Sequence, residues 1–457
     1  MFPEKTDGVI CVKLIGPPHL SPLQSASYAG LVCYQSELPE VGKMIDVEKR
    51  LFLTGHHTTL QHGHFSFVVS GVSVGDVTFG LHLVNPFYNS DQRSGRFCSE
   101  MFSHPDISAI ERYVRRYWPE VENNEINRIK GFLSRSLSFY QTYLDRAIPL
   151  VEKYLASERP NLSKSAIIQN ARKIAQEQVR MFIPIIFPTA LEYTLNLSSL
   201  VALWTTAWNP VLRSITDLMR DLILEKFPEI SFMFNPEFRG KRKQDWSPSV
   251  ADASGCLLKP EYQLGQIKIG DHFCFPDPAD MHPIDLLPFK PEMMDNRGSF
   301  INGRVHISCA TMGQDQRHRT ILRTSPKFSG LAYLPPLLAD LKSGDDSLLS
   351  LMEEWKKLSS YLPSTLSTIL APYGAMVHYE KTGDLNAIFH EMAKRLCWCA
   401  QEEIWHLATQ LVAQIEDDYP DLKTFFLPPC VRTGVCGEGS RYCGRCLSSS
   451  VLSDRKV

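Results

Sequence analysis

No run of apolar residues in this 457-residue chain is long enough to span a bilayer. The richest stretch, Met181 to Trp204, is interrupted by Pro184 and Pro188 and carries Glu192. An excess of one charge sign is also missing. The formal net charge is -2, and non-specific nucleic-acid binding calls for a basic domain instead. The first ten residues, MFPEKTDGVI, lack both the positive start and the long apolar segment of a secretory signal. Cysteine is not scarce, but eight of the twelve are scattered through core-like segments such as LVCYQS and CWCAQ. That pattern fits free thiols in a reducing cytoplasm better than a disulfide framework. What is present, 44% hydrophobic and 21% charged residues, is the balance of an ordinary soluble globular protein. The length suggests roughly two to four domains.

One stretch stands out. Within Gln314 to Gly330, Arg317, His318, Arg319, Arg323 and Lys327 crowd together, with Thr320, Thr324 and Ser325 beside them. Arg offers a planar fork of donors that suits phosphate or carboxylate. Crowded forks repel one another unless an anion sits among them; a solvated basic loop is the plain alternative. The segment continues from SFINGRVHISCATMG, which reads as a strand running into a turn.

In chain order, VICVKLIGPP reads as a strand and SPLQSASYAGLVCYQS as a short helix. Four histidines, His56, His57, His62 and His64, follow within nine residues. Their spacing is not that of a metalloprotease helix, and no carboxylate is near. FSFVVSGVSV and VTFGLHLV both look strand-like. The turn NSDQRSGRF then places Ser94, Gly95 and Arg96 together, a hydroxyl, a free N–H and a guanidinium suited to an oxyanion, although such surface turns are common. Residues 105–226 read as mostly helical, with one long helix from Thr194 to Phe227 and Asn196 near its start as cap or ligand group. Arg180 heads into the apolar FIPIIFP, where it either snorkels or meets an anion. Residues 235–255 read as a linker with a basic cluster of Arg239, Lys241, Arg242 and Lys243. From about Ser299 the order of strand, polar turn, helices and long final helix returns, the last helix spanning Asp384 to Glu416 with Asp384 as N-cap. This suggests an internal duplication. In the tail, Cys430, Cys436, Cys443 and Cys446 are spaced C-x5-C-x6-C-x2-C. They are candidate ligands for zinc or an iron–sulfur cluster, or four free thiols.

These segments resemble the flavin-dependent thymidylate synthases, as two fused and diverged copies. GHHTTLQHGHFSFVVSGVS is similar to the family's GHxSxLEHxxFTFxIxGVS, SGRF to the end of its RHR-x7-SxR motif, and VRMFIPIIFPTALEYTLN to its ARxxLPxxxxTxxxxTxN. The second half carries Gln314, a full Arg317-His318-Arg319, and RLCWCAQEEI from Arg395, similar to LRxxxxAQWEI. The copies also depart from the pattern. The first half has Leu81-His82-Leu83 at the RHR position, Gln92 for a glutamate, Ser198 for one arginine and Ala207 for another. The second half has Ser325, Lys327 and Ser329 at the SxR element, Asp384 and Asn386 at NxR, and Thr368 opposite Arg180.

The resemblance implies an α+β fold of two tandem repeats, each a mixed or antiparallel sheet packed with helices and a long helix. It places the first repeat at 1–234, a linker at 235–255, the second repeat at 256–428 and a Cys-rich tail at 429–457. It implies reductive methylation of dUMP with FAD, methylenetetrahydrofolate and NADPH, in a cytoplasmic homodimer that presents four repeats. Because family sites form between subunits, it implies one composite site per pair of halves. Ser94, Gly95, Arg96, Arg180, Gln314 and Arg317 would hold dUMP. Arg317, His318, Arg319, His56, Thr58, Gln61 and Asn196 would hold the flavin. Arg395 would act on the uracil ring, and no cysteine nucleophile is required of Cys397 or Cys399. A diverged flavin and nucleotide binder acting on another substrate, and a non-catalytic nucleotide- or RNA-binding scaffold with a zinc-like tail, are the rival readings.

Overall fold

The computed structural model describes residues 4–14, 20–36, 39–83, 88–95, 98, 102, 105–240, 245–270, 272, 291–438, 442–445 and 455–457. Helices and two sheets share one hydrophobic core, to which both halves of the chain contribute.

The first sheet contains β1 (Glu4–Thr6), β2 (Cys11–Leu14), β3 (His64–Ser73), β4 (Tyr88–Gln92) and β5 (Pro188–Asn196), in the order β1-β2-β3-β5-β4. The second contains β6 (Cys256–Leu257), β7 (Glu261–Lys268), β8 (Phe300–Ser308), β9 (Leu322–Arg323), β10 (Lys327–Tyr333) and β11 (Ala375–Asp384). Its order is β6-β10-β11-β8-β7, with β9 also paired to β11. Four strands of the first sheet, β2-β3-β5-β4, and four of the second, β7-β8-β11-β10, have the same order of sequence and the same antiparallel pairing. The registers agree as well. β3 pairs with β5 from His64 opposite Asn196 to Ser73 opposite Pro188, and β8 pairs with β11 from Phe300 opposite Asp384 to Ser308 opposite Met376.

The halves cross where two prolines meet, Pro184 against Pro372 in an antiparallel bridge. Around it the bonds are reciprocal: Ile185 N donates to Ala371 O at 2.9 Å, and Tyr373 N donates to Ile183 O at 2.8 Å. The crossing turns four residues before β5 and β11 reach Ser73 and Ser308. It sets Pro184 of the first half against Pro372 of the second.

Several sequence expectations change. Val77–Leu83 of VTFGLHLV is not a strand, and Val84 lies outside the described residues. Ser73 ends β3 as an N-cap, accepting from Asp76 N at 2.9 Å, and Val74–Asp76 and Val77–Leu81 coil into helical turns. Every residue of those turns is buried, so the alternation that marks a strand had no solvent side to report. The long helix expected from Thr194 is β5 as far as Asn196, then two helices, Leu197–Thr206 and Pro210–Lys226. Asn209 restarts the second by accepting from Leu212 N at 2.7 Å, with Pro210 in the first turn. The helix expected from Asp384 to Glu416 is also two, Leu385–Arg395 and Glu402–Asp418. Between them the carbonyls of Trp398 and Ala400 accept from Arg455 Nη2, at 2.9 and 2.6 Å, instead of from the next helical turn. Asp384 is the N-cap expected, accepting from Ala387 N at 2.8 Å. Lys241, Arg242 and Lys243 lie outside the described residues. Arg239 instead pairs with Asp217 at 2.6 Å and stacks on Trp204.

Candidate functional site

Beside the proline crossing, polar side chains from both halves converge. The helix Lys164–Val179 ends in a 3-10 turn that begins at Arg180, which packs over the Tyr373 ring at 5.0 Å and is buried. Its Nη2 donates to Gln401 Oε1 at 3.1 Å, and Gln314 Nε2 donates to the same oxygen. Arg395 Nη2 donates to the Gln314 carbonyl at 2.6 Å. Gln314, Gln401 and Arg395 are all buried. This cluster is rich in donors and poor in acceptors. Among the described residues, Arg180 Nε and Gln401 Nε2 are buried with no acceptor. A buried donor left unmatched costs about 1–3 kcal/mol, so such a cluster suits a ligand that brings oxygens.

Glu403 sets the position of Gln401. Its carboxylate accepts from Ser308 N at 2.7 Å, Ser308 Oγ at 2.6 Å and Thr311 Oγ1 at 2.6 Å, which ties the start of the Glu402–Asp418 helix to the end of β8. Burial pushes its pKa up to about 6 against the pull of those bonds.

The Gln314 to Gly330 turn is not one basic surface. Arg323 is engaged internally: its Nε donates to Asp315 Oδ2 at 2.5 Å, while Lys381 Nζ meets Asp315 at 2.7 Å and Glu391 at 2.7 Å. Burial works against the Asp315 charge, but Arg323 and Lys381 outweigh it and hold its pKa well below the usual range. Gln316 docks the turn on the first half, donating to Thr78 O at 2.9 Å. Arg317 is exposed. His318 is buried edge-on to His390 at 5.3 Å, and burial together with Arg395 keeps it neutral. Arg319 crosses to β4, where Nη2 donates to Ser90 O at 2.8 Å and the guanidinium stacks on Tyr88 at 4.9 Å. Its Nε is buried without an acceptor among the described residues. His82 bonds to Ser90 Oγ through Nε2 at 2.6 Å, and burial, then Arg319 and Arg317, push its pKa down to about 3.

The expected site residues divide into groups. Arg180, Gln314 and Arg395 form one cluster. Gly95 is held near it, because Gln176, one turn before Arg180, donates to Gly95 O at 2.9 Å and Cys98 O at 3.1 Å. Ser94 adjoins Gly95 and is half-buried; Arg96 lies outside the described residues. Asn196 is buried at the end of β5, and its Oδ1 accepts from Ser199 N at 2.8 Å, so it is a helix cap. Arg319 reaches toward this same end, since Tyr88 pairs with Leu195. His56 and Thr58 are exposed and Gln61 half-buried, in or beside the 3-10 segment His57–His62 that leads into β3. Gln401 and Tyr373 were not expected in the site. Gln401 stood in a recognised motif without an assigned partner, and Tyr373 follows the crossing proline that aims it. Nothing in the sequence marked Gln176.

Cys430, Cys436 and Cys443 of the tail line a pocket together with Cys397 and Cys399; Cys446 lies outside the described residues. Among the described residues, no group of three or more His, Cys, Asp or Glu side chains already stands in position to hold a metal ion. No described helix is long and apolar enough to cross a membrane.

Comparison with known proteins gives a family match over residues 18–229, to the family described as thymidylate synthase complementing protein. Among solved structures, thymidylate synthase X of Helicobacter pylori with FAD and dUMP is 19% identical, over 46% of this chain and 92% of its own, with a TM-score of 0.30. A second structure of the flavin-dependent thymidylate synthase from that organism, complexed with FAD and dUMP, is 19% identical over 45% and 91%, with a TM-score of 0.29. No curated protein matches the chain. The chain is thus similar to the flavin-dependent thymidylate synthases, with the family match confined to its first half.

Proposed function

We propose that this protein is a flavin-dependent thymidylate synthase in which two fused halves share one composite site, methylating dUMP to dTMP with methylenetetrahydrofolate and NADPH. The halves are repeats at 1–234 and 256–428, joined through 235–255 and followed by a tail at 429–457, and two chains assemble as a dimer. One observation carries the reading: Arg180 of the first half and Gln314, Gln401 and Arg395 of the second meet in a buried cluster with unused donors.

In this reading Arg395 lies against the uracil ring. A guanidinium there favours the electron-rich pyrimidine whose C5 must become nucleophilic. Gln314 and Gln401 fix the ring through its carbonyl oxygens. Arg180, with the Ser94–Gly95 turn that Gln176 holds beside it, takes the sugar and phosphate. Arg317 and Arg319 hold the flavin, and the buried Nε of Arg319 is a donor that such an acceptor-rich ligand would match. His56, Thr58 and Gln61 border the same end of the sheet. Bound FAD would supply the hydride and carry the one-carbon unit. The exposed His56 and Thr58 leave that end open to a large ligand, whereas the arginine cluster is closed from water, which strengthens charge stabilisation at the ring.

The test is the visible spectrum of the purified protein with FAD, before and after dUMP. A bound flavin whose bands shift with dUMP, followed by tritium release from C5-labelled dUMP, is the expected result. No flavin binding in excess FAD would end the synthase reading. Flavin and dUMP binding without tritium release would leave a nucleotide-binding relative with a different substrate.

A further inference from the structure

The outer face of the second sheet carries polar chemistry that the arginine cluster does not use. Along β8, Ile301, Val305 and Ile307 are buried in the core, and the alternate residues Arg304 and His306 face the other way. His306 stands opposite Glu261 of β7 on one side and His378 of β11 on the other. Its imidazole joins two partners: Nε2 lies 2.7 Å from Ser329 Oγ, and Nδ1 lies 3.3 Å from Glu261 Oε2. Ser329 belongs to β10, on the far side of β11, so the ring spans one strand to reach it. Glu261 is exposed, whereas His306 and Ser329 are half-buried. The order hydroxyl, imidazole, carboxylate is that of an activated nucleophile. A carboxylate on Nδ1–H holds the tautomer whose Nε2 accepts from the hydroxyl.

The backbone presents Ser329. β10 breaks register against β11 between Phe328 and Ala332, and Gly330, inside the break, has φ +79°. The carbonyl oxygens of Ala251 and Ala253 approach Gly330 so closely that a Cβ there would overlap both. An irregularity of this kind re-aims the neighbouring side chain. Leu331 N donates to Ser329 Oγ at 3.3 Å, which sets an N–H beside that oxygen. The Met376 carbonyl is a second and longer acceptor for the Ser329 hydroxyl, at 3.3 Å. Lys327, two residues earlier on the same strand, shares the face of Ser329 and is exposed. His378 packs edge-on to His306 at 6.2 Å. Burial, then His306, Arg304 and Lys327, lower its pKa, so it adds no charge at neutral pH.

We propose that Ser329, His306 and Glu261 form a second catalytic site, which hydrolyses short acyl esters by way of an acyl-serine. Ser329 Oγ adds to the ester carbonyl carbon as its proton moves to His306 Nε2, and Glu261 stabilises the imidazolium. The oxyanion develops beside the Leu331 N–H and the Lys327 ammonium. The bond to the alcohol oxygen then breaks, and Nε2 gives its proton to the departing alcohol. Water repeats both steps on the acyl-serine, which releases the acid and restores the hydroxyl. The sum is ester plus water to acid plus alcohol. The open face suits a small acyl group, and Lys327 favours an ester that bears negative charge. The site uses none of the residues of the arginine cluster and does not rest on the synthase reading.

The full-length chain is treated with a fluorophosphonate, which phosphonylates activated serines, and is assayed separately with para-nitrophenyl acetate. The expected results are a label mapped to Ser329 by peptide mass spectrometry and saturable ester hydrolysis. Ser329→Ala and His306→Gln should each lower hydrolysis by at least ~100-fold and abolish the label, and Glu261→Gln should lower hydrolysis by about 10-fold. Ser325→Ala, which removes the exposed hydroxyl four residues earlier, should change neither. Should a variant fail to fold, the position of the label on the unaltered protein decides. Any of four results would overturn the proposal: no label at Ser329 in the unaltered chain; no hydrolysis above that of an equal concentration of imidazole; a label that His306→Gln keeps in full; or hydrolysis that survives Ser329→Ala.

Discussion

In the proposed site, Arg180 and Arg395 illustrate why a guanidinium suits a buried point that receives oxygens. Arg180 Nη2 donates to Gln401 Oε1 while its Nε is buried without an acceptor among the described residues, and Arg395 Nη2 donates to the Gln314 carbonyl. Replacing either by Ala should weaken dUMP binding by at least ~2 kcal/mol, about 30-fold, in a calorimetric titration. Arg180→Lys should recover little of it, since a single ammonium cannot serve both Gln401 and a ligand. Unchanged affinity in Arg180→Ala would remove this residue from the site. His82 offers a prediction of a different kind. Its folded pKa of about 3 lies below the 6.5 of the free side chain. As pH falls below 6.5 the unfolded chain therefore takes up a proton that the folded chain refuses, and stability drops until pH reaches about 3. His82→Gln can keep the bond to Ser90 without titrating. Between pH 7 and about 4.5 it should lose about 2 kcal/mol less stability than the unaltered protein in urea melts. Equal losses in the two proteins would show that His82 is not held neutral.

At the scale of strands and helices, the backbone sets limits that the side chains alone do not show. Gly71 sits at the irregularity in β3 between Ser70 and Val72, with φ +79°, and a Cβ there would lie 2.3 Å from Val9 O. Gly71→Ala should therefore destabilise the first sheet by more than about 1 kcal/mol, seen as a lowered Tm. Gly131, exposed within the helix Asn123–Glu158 with nothing within 4 Å of its Cβ position, should respond oppositely, with Ala adding up to about 1 kcal/mol. Equal responses at the two positions would mean that the β3 backbone relaxes freely. Elements were legible in the sequence where periodicity met solvent. The amphipathic helices, FSFVVSGVSV as a strand and the caps at Asn196 and Asp384 could all be read there. Reading failed where a segment is buried on every side, as at Val74–Leu81, or where the gap between two helices is held from a distant part of the chain, as Arg455 does at Trp398. The site followed the same rule. Arg180, Gln314 and Arg395 carry chemistry that a sequence displays. Gln176 and Tyr373 act through position alone, which only the packing of the two halves supplies.

For the molecule as a whole, the proline crossing makes the asymmetry of the halves measurable. Under the proposed duplication Pro184 is the counterpart of Pro372, which it meets in the bridge, so the residue four places earlier is Arg180 in one half and Thr368 in the other. Asn196 and Asp384 each cap the helix that follows β5 and β11, and the duplication pairs them. Eleven residues beyond the cap stands Arg395 in the second half and Ala207 in the first. The mirror image of the arginine cluster would thus contain Thr368 and Ala207, with Leu81-His82-Leu83 in place of the arginine turn. It has no guanidinium at any of these positions. His82 cannot substitute, because it is held neutral against Ser90 and Arg319. A buried phosphate or an ionised uracil without a cation would go uncompensated by several kcal/mol, which no ordinary nucleotide affinity survives. The proposed fusion should therefore bind about one dUMP per chain, or about two per dimer, where four repeats with complete sites would bind four. Equilibrium titration with radiolabelled dUMP against a measured active flavin concentration gives this number directly. A stoichiometry near two per chain would mean that the second cluster binds without its arginines, and that the crossing does not set the correspondence between the halves.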